Sequence, residues 1–296
     1  MPIAVVNGTH LYYQIQGKGT PILFIHPPLL TSHNFRYQQV QLAGEFSVIT
    51  FDVRGHGKSA VSETPLTYGL IVEDIVRLLD YLGIRQTYIC GYSTGGSVAL
   101  EAMLTHPDRF AGGILVSTMS EASDFLLRSR IRLAAGLSAT KPLARLLMWG
   151  IAWGNADSNL TFRNLLREAR RGNQTNIRQY YRYSLRYNCT QRLDRLRIPT
   201  LLVYGEKDRG FKRYRRKLEN ELPVCDVVVL KDEKHQIPTK SALEMNESIR
   251  TWVREAERRK NPTVSKRQAE PNKEPAIPNS PPDLTATSAG EIHEHP

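Results

Sequence analysis

Two rhythms alternate along most of the chain. Short apolar runs rich in β-branched residues occur at 22–25, 48–51, 87–90, 114–116, 200–204 and 227–230. Runs this short and this continuously apolar suit strands buried on both faces of a sheet. Between them lie segments of helical period, such as 70–82, where Leu70, Ile71, Ile75, Leu78, Leu79 and Leu82 share one face. Upstream, residues 3–6 and 10–15 flank Asn7-Gly8 and predict an opening β-hairpin. Strand–helix alternation of this kind predicts an α/β fold, a mostly parallel central β-sheet flanked by helices.

The alternation stops at 120–197, which contains helix-like pieces and no convincing strand. Phe162, Leu165, Leu166 and Ala169 fall on one helical face, with Arg163, Arg167, Arg170 and Arg171 on the other. Ile177, Tyr181, Ser184 and Tyr187 likewise oppose Arg178, Arg182 and Arg186. These patterns predict a helical insertion between the sixth and seventh strands. The expected organisation is a core of 1–119 and 198–259, a helical cap of 120–197, and a tail of 260–296. A last helix is expected over about 240–258, and a basic helix over 212–217. The tail holds seven of the 17 prolines and no Phe, Trp or Tyr, which predicts disorder.

Composition narrows the function classes. With 41% hydrophobic and 23% charged residues the 296-residue chain is ordinary globular protein. No apolar run approaches the roughly 20 residues that span a bilayer. No basic segment followed by an apolar stretch opens the chain, so no signal peptide is expected. Three scattered cysteines, Cys90, Cys189 and Cys225, argue against a disulfide framework and fit a reducing cytoplasm.

The net charge of +11 invites a nucleic-acid reading, but it is localised. Residues 120–197 hold 15 Lys and Arg against 5 Asp and Glu, and 198–217 hold 7 against 2. Arg178 to Tyr187 interleaves arginine with tyrosine, a composition used in stacking on nucleic acids. No nucleic-acid motif accompanies it, so the expectation is tyrosines packed over the core and arginines in solvent. Some of those arginines could steer an anionic small-molecule substrate toward a cleft.

Gly91-Tyr92-Ser93-Thr94-Gly95 fits G-x-S-x-G between an apolar run and a helical segment. A strand and helix that converge this tightly need small residues two before and two after the serine, and the turn thrusts Ser93 Oγ outward. Serine is a weak nucleophile without a base. Of eight histidines, His235 alone follows a late strand in a short loop. Asp208, four residues beyond the seventh strand, is the candidate acid to orient it, with Glu206 as runner-up. The order Ser93, Asp208, His235 is the one this elbow type carries. His293-Glu294-His295 is a poor metal site, and neither a metal nor another cofactor is expected.

With these residues in place, the chain resembles the α/β-hydrolase-fold family with a helical cap, over roughly residues 3–258. Phe51 to Ser59 also matches the family's D-x-R-G-H-G-x-S stretch, and Gly205-Glu206-Lys207-Asp208 its G-x-x-D acid loop. The resemblance implies that Asp52, Arg54 and His56 are mainly structural. It implies acyl transfer through a serine ester intermediate, since epoxide hydrolases and haloalkane dehalogenases generally have aspartate where Ser93 stands. The expected activity is a carboxylesterase-like serine hydrolase cleaving a small ester. Carbon–carbon, amide or perhydrolase chemistry on the same triad, or a catalytically weak ligand-binding relative, are the alternatives.

One stretch departs from the family. Acyl transfer needs two backbone N–H groups at the oxyanion. Thr94, after the nucleophile, supplies one. The family's His-Gly-x, whose x residue supplies the other, is here His26-Pro27-Pro28-Leu29-Leu30. Proline has no N–H, so either Leu29 donates after a local shift or the hole has one donor; the expectation is Leu29. Pro28 and Tyr92 are expected to contact substrate.

Overall fold

A computed structural model describes residues 2–260, and residues up to Ala256 pack as one unit. Its frame is an eight-stranded sheet in the order β1-β2-β4-β3-β5-β6-β7-β8. The strands are β1 (Ile3–Val6), β2 (Thr9–Gln16), β3 (Thr20–Ile25), β4 (Phe46–Phe51), β5 (Thr87–Tyr92), β6 (Phe110–Val116), β7 (Thr200–Gly205) and β8 (Cys225–Leu230). β1 and β2 pair antiparallel, β2 runs antiparallel to β4, and every pairing from β4 to β8 is parallel. The expected hairpin turns through Asn7 and Gly8, both at positive φ, as a two-residue turn matched to strand twist requires.

Helices cover the sheet: α1 (Arg36–Leu42), α2 (Tyr68–Tyr81) and α3 (Thr94–Thr105), then α8 (Lys212–Glu221), α9 (Ile237–Lys240) and α10 (Ala242–Lys260). Thr67 starts α2 by accepting the N–H of Leu70, and Ile71, Ile75, Leu78 and Leu79 then lie wholly buried. Each such side chain contributes about 1.5–3 kcal/mol of burial. The last helix starts slightly later than its pattern predicts, because Ile237–Lys240 first forms the separate turn α9. The basic helix runs on past 217 to Glu221, with Tyr214 and Leu218 buried.

Between β6 and β7 stand four helices, α4 (Phe125–Leu137), α5 (Lys141–Asn155), α6 (Asn159–Ala169) and α7 (Gln174–Ser184). Asp124, Ser158 and Asn173 cap α4, α6 and α7 through their side chains, and Pro142 opens α5, so local chemistry sets each boundary. Arg178 and Arg182 on α7 and Arg186 just beyond it are exposed, while Tyr180 and Tyr181 are buried.

The 52–59 loop ties the core together. Asp52 accepts the N–H groups of Ser32 and Lys58 at 2.8 Å each. Arg54 forms a two-pronged ion pair with Asp74, both buried. Residues 261–296, which include nearly all of the expected tail and His293 and His295, lie outside the described residues. No helix among the described residues is long and apolar enough to cross a membrane.

Candidate active site

Ser93 occupies the one-residue corner between β5 and α3, at φ +54° and ψ −122°. A side chain rarely adopts this backbone, and neighbours hold it there. Ser93 N–H donates to Val116 O at 2.8 Å, and Gly96 N–H donates to Ser93 O at 3.0 Å. A Cβ on Gly91 would overlap the backbone of Gly95 and Gly96, and one on Gly95 would overlap the carbonyl of Ile25. The two glycines of the motif are therefore demanded by backbone approach.

Asp208 and His235 reach the serine from the loops that follow β7 and β8. These loops are stitched together: Glu206 N–H donates to Leu230 O, and Lys207 N–H to Glu233 O at 2.7 Å. A Cβ on Gly205 would overlap the carbonyls of Glu233 and Lys234, so the approach requires glycine. His235 Nδ1 lies 2.7 Å from Asp208 Oδ2, and its Nε2 lies 3.2 Å from Ser93 Oγ. An ionised Asp208 makes Nδ1 the protonated nitrogen and leaves Nε2 free to accept from the serine hydroxyl. The runner-up Glu206 instead accepts the N–H of Asp232 at 3.0 Å.

The surroundings restrict His235 further. Phe211 packs on its ring with centroids 4.3 Å apart, and Tyr92 lies at 5.4 Å. Burial raises the Tyr92 phenol above its ordinary pKa, and the Asp208 charge adds to it. Tyr92 is thus a neutral donor, and its hydroxyl bonds Asn155 Oδ1 at 3.2 Å. Asn155 is held by Thr239, whose hydroxyl donates to its carbonyl. The sequence pattern does not single out Phe211 or Asn155. Asn155 carries one faint signal, a polar residue ending an apolar helix.

A cavity of about 180 Å³ opens over Ser93. Pro28, Tyr92 and Thr94 line it from the core, as do Leu127, Ile151 and Tyr181 from the inserted helices. No Lys, Arg, Asp or Glu lines it. Leu29 does not reach the lining with its side chain, which is buried in the core. Its backbone sits at φ +72°, a strained conformation for a bulky residue. Among the described residues, no hydrogen bond engages the N–H of Leu29 or of Thr94.

Behind this loop lies a pair of buried histidines. Val53 N–H donates to His26 Nε2 at 2.9 Å, which leaves Nδ1 to donate to Pro27 O. Burial lowers His26 to about 4 and His56 to about 3, with the neighbouring His26 adding to the latter shift. Neither lines the cavity, and neither do Asp52 or Arg54. Among the described residues, no group of three His, Cys, Asp or Glu is placed to hold a metal ion.

Known proteins share this architecture. The alpha/beta hydrolase fold family model matches residues 20–237. A relative from Azorhizobium caulinodans, provisionally named carbamate hydrolase RutD, is 29% identical over 220 residues, covering 70% of this chain and 81% of its own. The enol-lactonase from Burkholderia xenovorans LB400 superposes with TM-score 0.74 at 20% identity, over 85% of this chain and 99% of that one. An esterase from Exiguobacterium antarcticum gives 0.78 at 17% identity, over 85% and 98%. Eight strands in this order, the elbow between β5 and α3, and the family match over residues 20–237 together make the chain a member of the alpha/beta hydrolase fold family.

Proposed function

We propose that the chain is a serine hydrolase that cleaves a small, neutral, ester-like substrate through an acyl-enzyme. The observation that carries this reading is the run of contacts from Ser93 Oγ to His235 Nε2 at 3.2 Å and from His235 Nδ1 to Asp208 Oδ2 at 2.7 Å. Ser93 attacks the carbonyl as His235 takes its proton, and Asp208 stabilises the imidazolium that forms. The tetrahedral oxyanion is held by Thr94 N–H, at the start of α3, and by Leu29 N–H. Collapse expels the alcohol, protonated by His235. A water deprotonated by the same histidine then attacks the acyl-enzyme and frees the acid.

The cavity supports a small substrate. At about 180 Å³ it is smaller than the roughly 300–1,000 Å³ of pockets for drug-sized ligands. Its lining has no Lys, Arg, Asp or Glu, which favours an uncharged acyl group over the anionic substrate that the basic cap could steer. A carbamate presents the same carbonyl, and the relative's name makes it the first alternative leaving chemistry to try.

A fluorophosphonate probe should label the native protein at Ser93 and leave Ser93→Ala unlabelled. Hydrolysis of p-nitrophenyl esters should fall as the acyl chain lengthens, and a carbamate panel run beside them decides the leaving group. Failure of both labelling and turnover would sink the proposal.

A further inference from the structure

Helix α5 is apolar on two faces, and protein covers one of them. Its inner face, Met148, Ala152 and Asn155, is buried, and Ile151 and Asn155 line the cavity over Ser93. Its outer face carries Leu146, Trp149 and Trp153, which are 64%, 48% and 57% exposed. The spacing of these three places them in one stripe. The two indoles stack 5.7 Å apart at 4°, and both meet the edge of Phe162 from α6. A helix that is hydrophobic all round is normally buried on all sides. An ordered aromatic ridge facing solvent marks an interaction surface.

The charge around the ridge identifies what it meets. Helices α5 and α6 carry four Lys and Arg and one acid, Glu168, while Asp157 in the turn between them accepts from the Tyr37 hydroxyl and shares a hollow with Trp153 and Lys240. Glu168 is buried and is already paired with Arg167 and Arg171. Beside the ridge, Lys141, Arg145 and Arg170 line an open basin of about 450 Å³ that contains no acidic side chain. None of these three makes an ion pair with another described residue. Tryptophan is enriched at the boundary between hydrocarbon and water, where its ring sits in the apolar layer and its N–H stays wet. Basic residues beside such aromatics are drawn to anionic headgroups.

We propose that the outer face of α5 and α6 docks the protein onto an anionic lipid surface. Leu146, Trp149 and Trp153 insert at headgroup depth, and Lys141, Arg145 and Arg170 hold lipid phosphates. A second copy of the chain is a poorer occupant, because two such faces would bring like charges together. A nucleic acid matches the cations and gives Leu146 no apolar partner. Docking in this pose brings the lipid to the opposite side of the same helix that walls the cavity. The proposal does not rest on the hydrolytic reading, since binding can be measured equally on Ser93→Ala.

The test is co-sedimentation of the full chain with vesicles of equal phosphatidylcholine and phosphatidylglycerol, against phosphatidylcholine alone. Of the three tryptophans, Trp252 is nearly buried and bonded to Asp226, so emission changes report Trp149 and Trp153. The expected result is binding to the anionic vesicles, a blue shift, and quenching by brominated lipid. Raising salt from about 0.05 M to about 0.5 M should release the protein. Lys141→Gln with Arg145→Gln should weaken binding roughly tenfold or more, since each cation near an anionic leaflet strengthens it about fivefold. Trp149→Ser with Trp153→Ser should weaken it at least as much, with circular dichroism confirming the fold. If that variant does not fold, brominated-lipid quenching of the native protein decides the matter alone. No binding at low salt would overturn the proposal, as would a dimer or an oligonucleotide complex formed through the ridge without vesicle binding.

Discussion

The hydroxyl of Tyr180 donates to the carbonyl oxygen of His26 across 3.2 Å, joining an inserted helix to the loop that carries Pro28 and Leu29. Tyr180 is fully buried, and its ring also meets His56 and Tyr68 edge-on. This bond makes α7 a support for the proposed oxyanion loop as well as a cover for the cavity.

Tyr180→Phe removes that bond and little volume. Thermal unfolding should show a loss of about 0.5–1.5 kcal/mol, a few degrees in Tm at this size. Turnover should fall while KM changes little, because the loop's task is in the transition state. An unchanged kcat would detach the tyrosine from the oxyanion loop.

The two acids of the β7 loop separate cleanly. Asp208→Asn should lower kcat by about 10⁴-fold, the effect of presenting the wrong histidine tautomer. Glu206→Gln keeps an acceptor for Asp232 N–H and should leave turnover nearly unchanged. Steady-state kinetics of the two variants side by side would reverse the assignment if Glu206 proved the costlier change.

Pro28→Ala restores an N–H at the place where the family normally has one. With Leu29 as the donor, ester turnover should stay close to that of the native protein. A gain of about 10²–10³ would instead show that the hole lacks a donor at position 28.

The buried histidines predict acid sensitivity. Both are held neutral in the fold, His26 down to about 4 and His56 to about 3, while an unfolded histidine titrates near 6.5. Below that value the unfolded chain binds protons that the fold refuses. Their contribution is therefore complete above about pH 6.5 and is lost as pH falls toward the folded values, with a slope of up to about 1.4 kcal/mol per pH unit for each. Denaturant midpoints between pH 7 and pH 4.5 should fall, and the decline should shrink in His56→Gln. A flat profile would contradict the assignment of neutral rings.

Much of the fold was legible in the chain because it is written in local patterns. Apolar runs flanked by turn chemistry placed all eight strands, and Asn7-Gly8 placed the hairpin. The elbow was legible for the same reason: Gly91 and Gly95 are required by backbone contacts within a few residues and with the adjacent strand. Asp208 and His235 could be picked out as candidates, since each follows a recognisable strand.

The rest depends on contacts between distant segments, which no local pattern records. Asp208 rather than Glu206 faces His235 because Gly205 lets two loops close on each other. Phe211, just before α8, and Asn155, at the end of α5, enter the site from segments whose own pattern says nothing of it. The aromatic ridge of α5 shows the limit most plainly. Its apolar residues fall on two faces, and only the packing of α5 against its neighbours leaves Trp149 and Trp153 in solvent. Periodicity records which residues share a face, but which face is covered is settled by long-range packing.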